Sequence, residues 1–213
     1  MLVIGLGRFG RHLAIKLVEL GNEVMVVDTD EDAINKIAPY VTRAQIGDCM
    51  EEDVLRGLGV SNFDVCFVCI SDNFQSSLEI TSLLKELNAP FVISKTDRDI
   101  HAKFLLKIGA DDVIYPERDM AQRAAVKYSA KNTFDYIELS KDYAITEMAV
   151  PRHWAGKTVL DLNIRYKYNI NILGFKKNNN VMPFNDPHYT LGVNDHLLVA
   201  GSKKDLFRLM DKK

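Results

Sequence analysis

A glycine-rich turn near the start constrains this chain more than any other feature. In Gly5-Leu6-Gly7-Arg8-Phe9-Gly10 the glycines follow the apolar run Leu2-Val3-Ile4 and precede Leu13, Leu17 and Leu20, one face of a helix that Gly21 stops. A buried strand that passes into a helix through such a turn has a separate use for each glycine. Gly5 makes the tight turn, Gly7 lets backbone approach a diphosphate, and Gly10 lets the helix pack closely on the sheet. The unpaired N–H groups and the dipole of the new helix then favour an anion. Asp28 follows the second apolar strand, Glu23 to Val27. A carboxylate there accepts both hydroxyls of an adenosine ribose and repels a 2′-phosphate, which selects against NADP.

The alternation of short apolar runs with helical spacing continues. Asp30 caps a short helix that Pro39 ends, and Thr42 to Ile46 forms the third strand. Helix Glu51 to Leu58, strand Val65 to Ile70, helix Phe74 to Leu87, strand Phe91 to Ser94, helix Ile100 to Ile108 and strand Val113 to Tyr115 follow. Short parallel strands that are apolar throughout need helices on both faces. The fold class is therefore α/β, a Rossmann-like doubly wound parallel sheet over residues 1–117. Pro116 reads as a break, after which Arg118 to Lys131 forms an amphipathic helix with Met120, Ala124 and Tyr128 along one side. That segment, 118–133, either packs on its own sheet or crosses to a partner subunit. From 134 to 213 the pattern becomes a small α+β domain. Its strands are Tyr136 to Leu139, Ala144 to Val150, Asn171 to Lys176, Val181 to Pro183 and His196 to Ala200, with helices near Val159 to Ile164 and Lys203 to Met210. Lys177-Asn178-Asn179-Asn180 marks a hairpin turn.

Composition excludes several classes. Lys and Arg number 27 against 29 Asp and Glu, a net charge of −2, so nothing points to a nucleic-acid polymer. No apolar run approaches a membrane span and the start lacks a basic leader, so a cytoplasmic protein is expected. Three cysteines do not suggest a disulfide framework. Cys66 and Cys69 have C-x-x-C spacing, but in a strand positions i and i+3 face opposite sides, which makes them core residues. The five histidines lack metal-ligand spacing.

Other candidate ligands fall at the carboxyl ends of strands, where open α/β sheets collect them. Asp48 ends the third strand, either as a contact for the adenine amino group or as a turn residue. Ser71, Asp72 and Asn73 follow the fourth strand, and Lys95 the fifth. Arg8 places a guanidinium inside the phosphate turn, suited to the terminal phosphate of ATP rather than the shared diphosphate of NAD, unless it is a surface charge only. An NAD-dependent oxidoreductase with a small substrate domain is the alternative reading. It needs an acid or base beside the nicotinamide, and the last 80 or so residues offer no assignable constellation. No catalytic residue is expected.

With Gly5-Leu-Gly-Arg-Phe-Gly10, Val27-Asp28, Gly47-Asp48, Lys107-Ile-Gly-Ala-Asp111 and Pro116-Glu-Arg-Asp-Met120, the chain resembles the cytosolic regulatory subunits of bacterial Ktr/Trk potassium transporters, the RCK or KTN family. The resemblance runs from about residue 2 to about 210. It implies a homodimer assembled into an octameric ring beneath a membrane potassium-translocating subunit, on the inner face of the cell membrane. It implies that ATP and ADP compete for the first domain, with NADH as a further candidate. Gly7, Arg8, Phe9 and Gly10 would carry phosphates, Asp28 the ribose and Asp48 the adenine edge, with Arg8 reaching the terminal phosphate in a neighbouring subunit. Glu117 would be a divalent or monovalent cation ligand at the dimer interface. Cyclic di-AMP would inhibit transport through the second domain at Ile164, Arg165, Asn171, Ile172 and Pro187. There Arg165 would pair with phosphate, Asn171 would read an adenine edge and the aliphatics would sandwich the base.

Overall fold

A computed structural model describes residues 1–70, 73–129, 133–177 and 180–210, so Ser71, Asp72 and the hairpin residues Asn178 and Asn179 lie outside the described residues. The chain divides into two compact units, Met1–Asp119 and Met120–Lys213.

In the first unit strands β1 (Leu2–Ile4), β2 (Met25–Asp28), β3 (Arg43–Ile46), β4 (Cys66–Val68), β5 (Val92–Lys95) and β6 (Asp112–Ile114) form one sheet in the order β3-β2-β1-β4-β5-β6. Every pairing is parallel. The order reverses beside β1, and helices α1 (Arg8–Glu19), α2 (Glu31–Ile37), α3 (Glu52–Leu58), α4 (Phe74–Glu86) and α5 (Asp99–Lys107) connect successive strands. The doubly wound expectation is what forms. Alternate residues feed two cores: Leu2, Ile4, Val27, Cys66 and Val68 join Ile80 and Leu84 in one, while Val3, Val26 and Cys69 join Ala14 and Ile34 in the other. Cys66 and Cys69 thus belong to opposite faces, and burial pushes both thiols up to about 12. They stay protonated at neutral pH.

Three local readings change. Leu20 lies past the end of α1 and is 68% exposed, because α1 turns Gly10 and Ala14 toward the sheet instead. β3 is a sheet edge and largely exposed rather than apolar throughout. Pro116 does not separate elements: it opens α6 (Pro116–Ser129), since proline's fixed φ and missing N–H suit the first helical position. Met120 and Tyr128 on α6 are 63% and 81% exposed.

The Lys107-to-Asp111 motif is a staple in the fold. Asp111 accepts the Val92 N–H at 2.7 Å and the Lys85 ammonium at 2.9 Å, and Gly109, at φ +114°, makes the turn that presents it. Burial opposes the Asp111 charge, but the Val92 and Lys85 bonds outweigh it and hold its pKa below the usual aspartate value.

In the second unit β7 (Thr133–Glu138), β8 (Tyr143–Ala149), β9 (Ile170–Lys177), β10 (Asn180–Pro183) and β11 (His196–Ser202) form an antiparallel sheet in the order β10-β9-β11-β8-β7. Lys177 pairs with Asn180 across the β9–β10 hairpin. Its core gathers around Trp154, fully buried, whose indole N–H donates to the Tyr168 hydroxyl at 3.2 Å. The helix expected to end at Ile164 is two: α7 (Val159–Leu162), capped by the Thr158 side chain, and α8 (Ile164–Tyr168), joined by Asn163 in the left-handed region. Asparagine tolerates that conformation best after glycine. Helix α9 (Lys203–Met210) closes the unit.

Candidate functional site

Parallel strands place all their carboxyl ends on one edge, and the reversal of strand order beside β1 splits the connecting helices apart there. The result in the first unit is a crevice of about 620 Å³. Its walls include Gly5, Gly7, Arg8 and Phe9 from the glycine turn, Asp28, Asp48, Asn73, Lys95 and Glu117. Residues from six chain segments are thereby brought together.

The glycine turn has the geometry its residues require. Gly5 has φ +93°, a region that disfavours L side chains, and a Cβ there would meet Ile70 at 3.0 Å. A Cβ on Gly10 would lie 1.9 Å from the Gly5 carbonyl oxygen. Gly10 is therefore the packing glycine and lies behind the crevice lining instead of in it. A Cβ on Gly7, which lines the crevice, would meet nothing within 4 Å. Gly7 caps α1 with no side-chain hydrogen bond, and no acid stands in the first turn. By contrast α2 is capped by Asp30 and α4 by Asn73. The one helix whose N-terminus opens on the crevice through glycines lacks its own anionic or amide cap, which suits an external phosphate.

Asp28 is half-buried at the end of β2. Its carboxylate accepts the Leu6 N–H of the glycine turn through one oxygen and the Asp30 N–H at 2.9 Å through the other. Asp48 is exposed and accepts the Met50 N–H at 2.9 Å, so it serves the turn as well as the crevice wall. Asn73 spends its carboxamide oxygen on the Ser76 N–H, as the α4 cap. Ser71 lies outside the described residues. Thr29, Cys49, Met50, Ser76 and Ile80 also line the crevice and were not expected. Thr29 and the Cys49-Met50 pair could have been found as neighbours of Asp28 and Asp48. Ser76 and Ile80 had no sequence signal, since they reach the site on the face of α4. Burial, then Asp48 and Asp28, push the Cys49 thiol up to about 12, so it meets a ligand as a neutral group.

Lys95 ends β5, and only 9% of its side chain is exposed. Its ammonium lies 3.0 Å from a Glu117 oxygen and 5.9 Å from the Phe9 ring centre. The bond from Lys95 is the main reason the Glu117 carboxyl sits below its ordinary pKa, with Arg8 adding to the effect. Glu117 was expected to hold a cation. That expectation concerns a dimer interface; within one chain the Glu117 carboxylate accepts from the Lys95 ammonium, and among the described residues no three His, Cys, Asp or Glu side chains come together.

The second unit has its own groove of about 250 Å³ between α7, α8 and the start of β9. Ile164, Arg165, Asn171, Ile172 and Pro187 all line it. Ile164 is buried, while Arg165, Asn171 and Pro187 are exposed. Val159, Leu160, Asn163, Ile170 and Phe184 complete the lining without having been expected. The Leu160 N–H donates to the Pro187 carbonyl at 2.9 Å, which holds α7 against the loop carrying Pro187.

Fold and crevice together define a Rossmann-type nucleotide-binding unit followed by a small α+β unit. The TrkA-N domain family matches residues 1–116 and the TrkA-C domain family residues 145–212. The chain is 43% identical over 206 residues to Ktr system potassium uptake protein C of Bacillus subtilis, covering 97% of this chain and 93% of that one. It is 40% identical, with the same coverage, to Ktr system potassium uptake protein A of Bacillus subtilis. Against Ktr system potassium uptake protein A of Vibrio alginolyticus it is 32% identical over 204 residues, 96% of this chain and 93% of the other. The chain belongs to this family of Ktr and Trk potassium uptake proteins, the RCK or KTN family. Among solved structures, the GsuK channel bound to NAD superposes with a TM-score of 0.70 at 20% identity, covering 100% of this chain. The chain spans 39% of that channel's length, and the likeness concerns the fold. GsuK bound to ADP superposes over 57% of this chain with a TM-score of 0.51 and 20% identity. No helix among the described residues is long and apolar enough to cross a membrane.

Proposed function

We propose that this protein is the nucleotide-gated regulatory subunit of a Ktr-type potassium uptake system and is not an enzyme. The observation that carries the reading is the α1 N-terminus, left without a side-chain cap and opening on a crevice whose wall holds two cations, Arg8 and Lys95, and two strand-end carboxylates, Asp28 and Asp48. ATP or ADP fits that distribution: backbone N–H groups of Gly7 to Phe9 take phosphate oxygens, Asp28 takes the ribose hydroxyls and Asp48 the adenine amino group. Differential affinity of two nucleotides for two conformations supplies the switching free energy. The relatives' membership of potassium uptake systems supports a membrane potassium-translocating subunit as partner. A homodimer that builds an octameric ring on the inner face of the membrane is part of the same reading.

The groove of the second unit suits cyclic di-AMP as an inhibitory effector. Arg165 offers a guanidinium to phosphate, Asn171 a carboxamide to an adenine edge, and Ile164, Ile172 and Pro187 apolar walls. Titration of the purified protein with ATP, ADP, NADH and cyclic di-AMP, with particle mass followed in parallel, tests the whole reading. The expected result is competition between ATP and ADP, a change of shape or assembly between them, and independent binding of cyclic di-AMP. Equal binding of ATP, ADP and NADH with no change in mass or shape overturns the switch, and turnover of NADH overturns the non-enzymatic assignment.

A further inference from the structure

Lys95 and Glu117 form an asymmetric pair. The Lys95 side chain is 9% exposed, whereas that of Glu117 is 67% exposed. Removing the counter-ion from a buried ammonium is costly, while returning an exposed carboxylate to water costs little. In any exchange of partners, therefore, Glu117 is the group that leaves. The pair sits beside the glycine turn, since Lys95 approaches the Phe9 ring and Arg8 acts on the Glu117 charge. A phosphate oxygen entering that end of the crevice meets Lys95 already engaged.

We propose that Glu117 is an internal competitor for the phosphate chain. It neutralises Lys95 when the crevice holds no phosphate beyond the glycine turn, and a di- or triphosphate must displace it to reach the ammonium. Lys95 then discriminates by phosphate number, and Glu117 sets the threshold. The displaced carboxylate belongs to the first turn of α6, a helix that runs on past residue 119, so the exchange alters the charge at the start of that helix. This inference rests on the nucleotide reading of the crevice.

The test measures binding of adenosine, ADP and ATP to the full chain in EDTA, so that no metal bridges Glu117 to phosphate. Glu117→Gln should tighten ATP and ADP by about three- to tenfold and leave adenosine unchanged, as expected for the loss of one competing ion pair. Lys95→Met should weaken ATP and ADP by about tenfold or more, again without effect on adenosine. Lys95→Gln replaces it if the methionine variant does not fold. The deciding comparison is the double variant. With Lys95 removed, Glu117→Gln should lose most of its tightening, because there is no ammonium left to release. Equal tightening with and without Lys95 would mean simple repulsion between Glu117 and phosphate and would overturn the proposal. So would a Glu117→Gln variant that binds ATP no better, or worse, than the parent. If instead the parent protein binds none of these nucleotides, the reading of the crevice itself fails.

Discussion

In the first unit every strand pairing is parallel, so strand carboxyl ends and helix N-termini share one edge, and the crevice there carries Arg8, Asp28, Asp48, Lys95 and Glu117. In the second unit the described strands pair antiparallel, so their carboxyl ends alternate between the two edges of the sheet. Its groove forms where two very short helices meet the start of β9, and Arg165 is the one charged residue in the described lining. The second unit buries its charge elsewhere: Glu147 on β8 is bonded by Lys176 of β9 and His196 of β11, each at 2.9 Å, a cross-link spanning neighbouring strands. The two units teach that topology decides where polar chemistry can stand. A parallel sheet exports it to a ligand crevice, whereas an antiparallel sheet can spend it on its own register.

That contrast can be broken by substitution. The largest effect is expected at Asp28. Asp28→Ala should weaken ADP and ATP by about thirty- to a hundredfold, the value of charge-assisted hydrogen bonds, while cyclic di-AMP affinity is unchanged. Calorimetric titration of both ligands on one variant checks it, and parallel loss at both sites would mean that the units are not separable binders. Arg165→Ala is the mirror experiment. Cyclic di-AMP should weaken by about tenfold or somewhat more, because one guanidinium carries the charge of that groove, and ATP affinity should stay put.

Acid sharpens the comparison further. Burial opposes the Glu147 charge, but the His196 and Lys176 bonds hold its folded pKa below the ordinary 4.5. The unfolded chain therefore binds the proton more readily. The stabilisation is present above about pH 4.5 and is lost as pH falls toward the depressed value. Glu147→Gln should reduce the drop in thermal midpoint of the second unit between about pH 6 and about pH 3.5, leaving the acid sensitivity due to Asp111 in the first unit intact. The smallest effect belongs to Ser77 on α4, whose buried hydroxyl has no hydrogen-bond partner among the described residues. Ser77→Ala should shift stability by less than about 0.5 kcal/mol, or raise it, and leave nucleotide affinity alone. A denaturant melt with a nucleotide titration measures both.

Much of the first unit was legible because its signals are local. Gly5, Gly7 and Gly10 report turn, approach and packing within six residues of chain, and the opposite-face placement of Cys66 and Cys69 follows from strand periodicity alone. The second unit was less legible. The helix near Val159 divides at Asn163 and extends to Tyr168, because a single asparagine in the left-handed region restarts the helix after one turn. Neither Ser76 and Ile80 in the crevice nor Leu160 and Phe184 in the groove had a local signal.

The glycine turn, the alternation of strand and helix, and Asp28 after the second strand fixed a parallel nucleotide-type sheet from sequence, since each depends on backbone sterics and periodicity within a short stretch. The partner of Lys95 could not be obtained that way. Lys95 and Glu117 are 22 positions apart, and either alone reads as an ordinary strand-end or helix-start charge. Only the packing of β5 beside the start of α6 places a buried ammonium against an exposed carboxylate, and a buried charge takes whatever counter-ion the tertiary fold brings within reach.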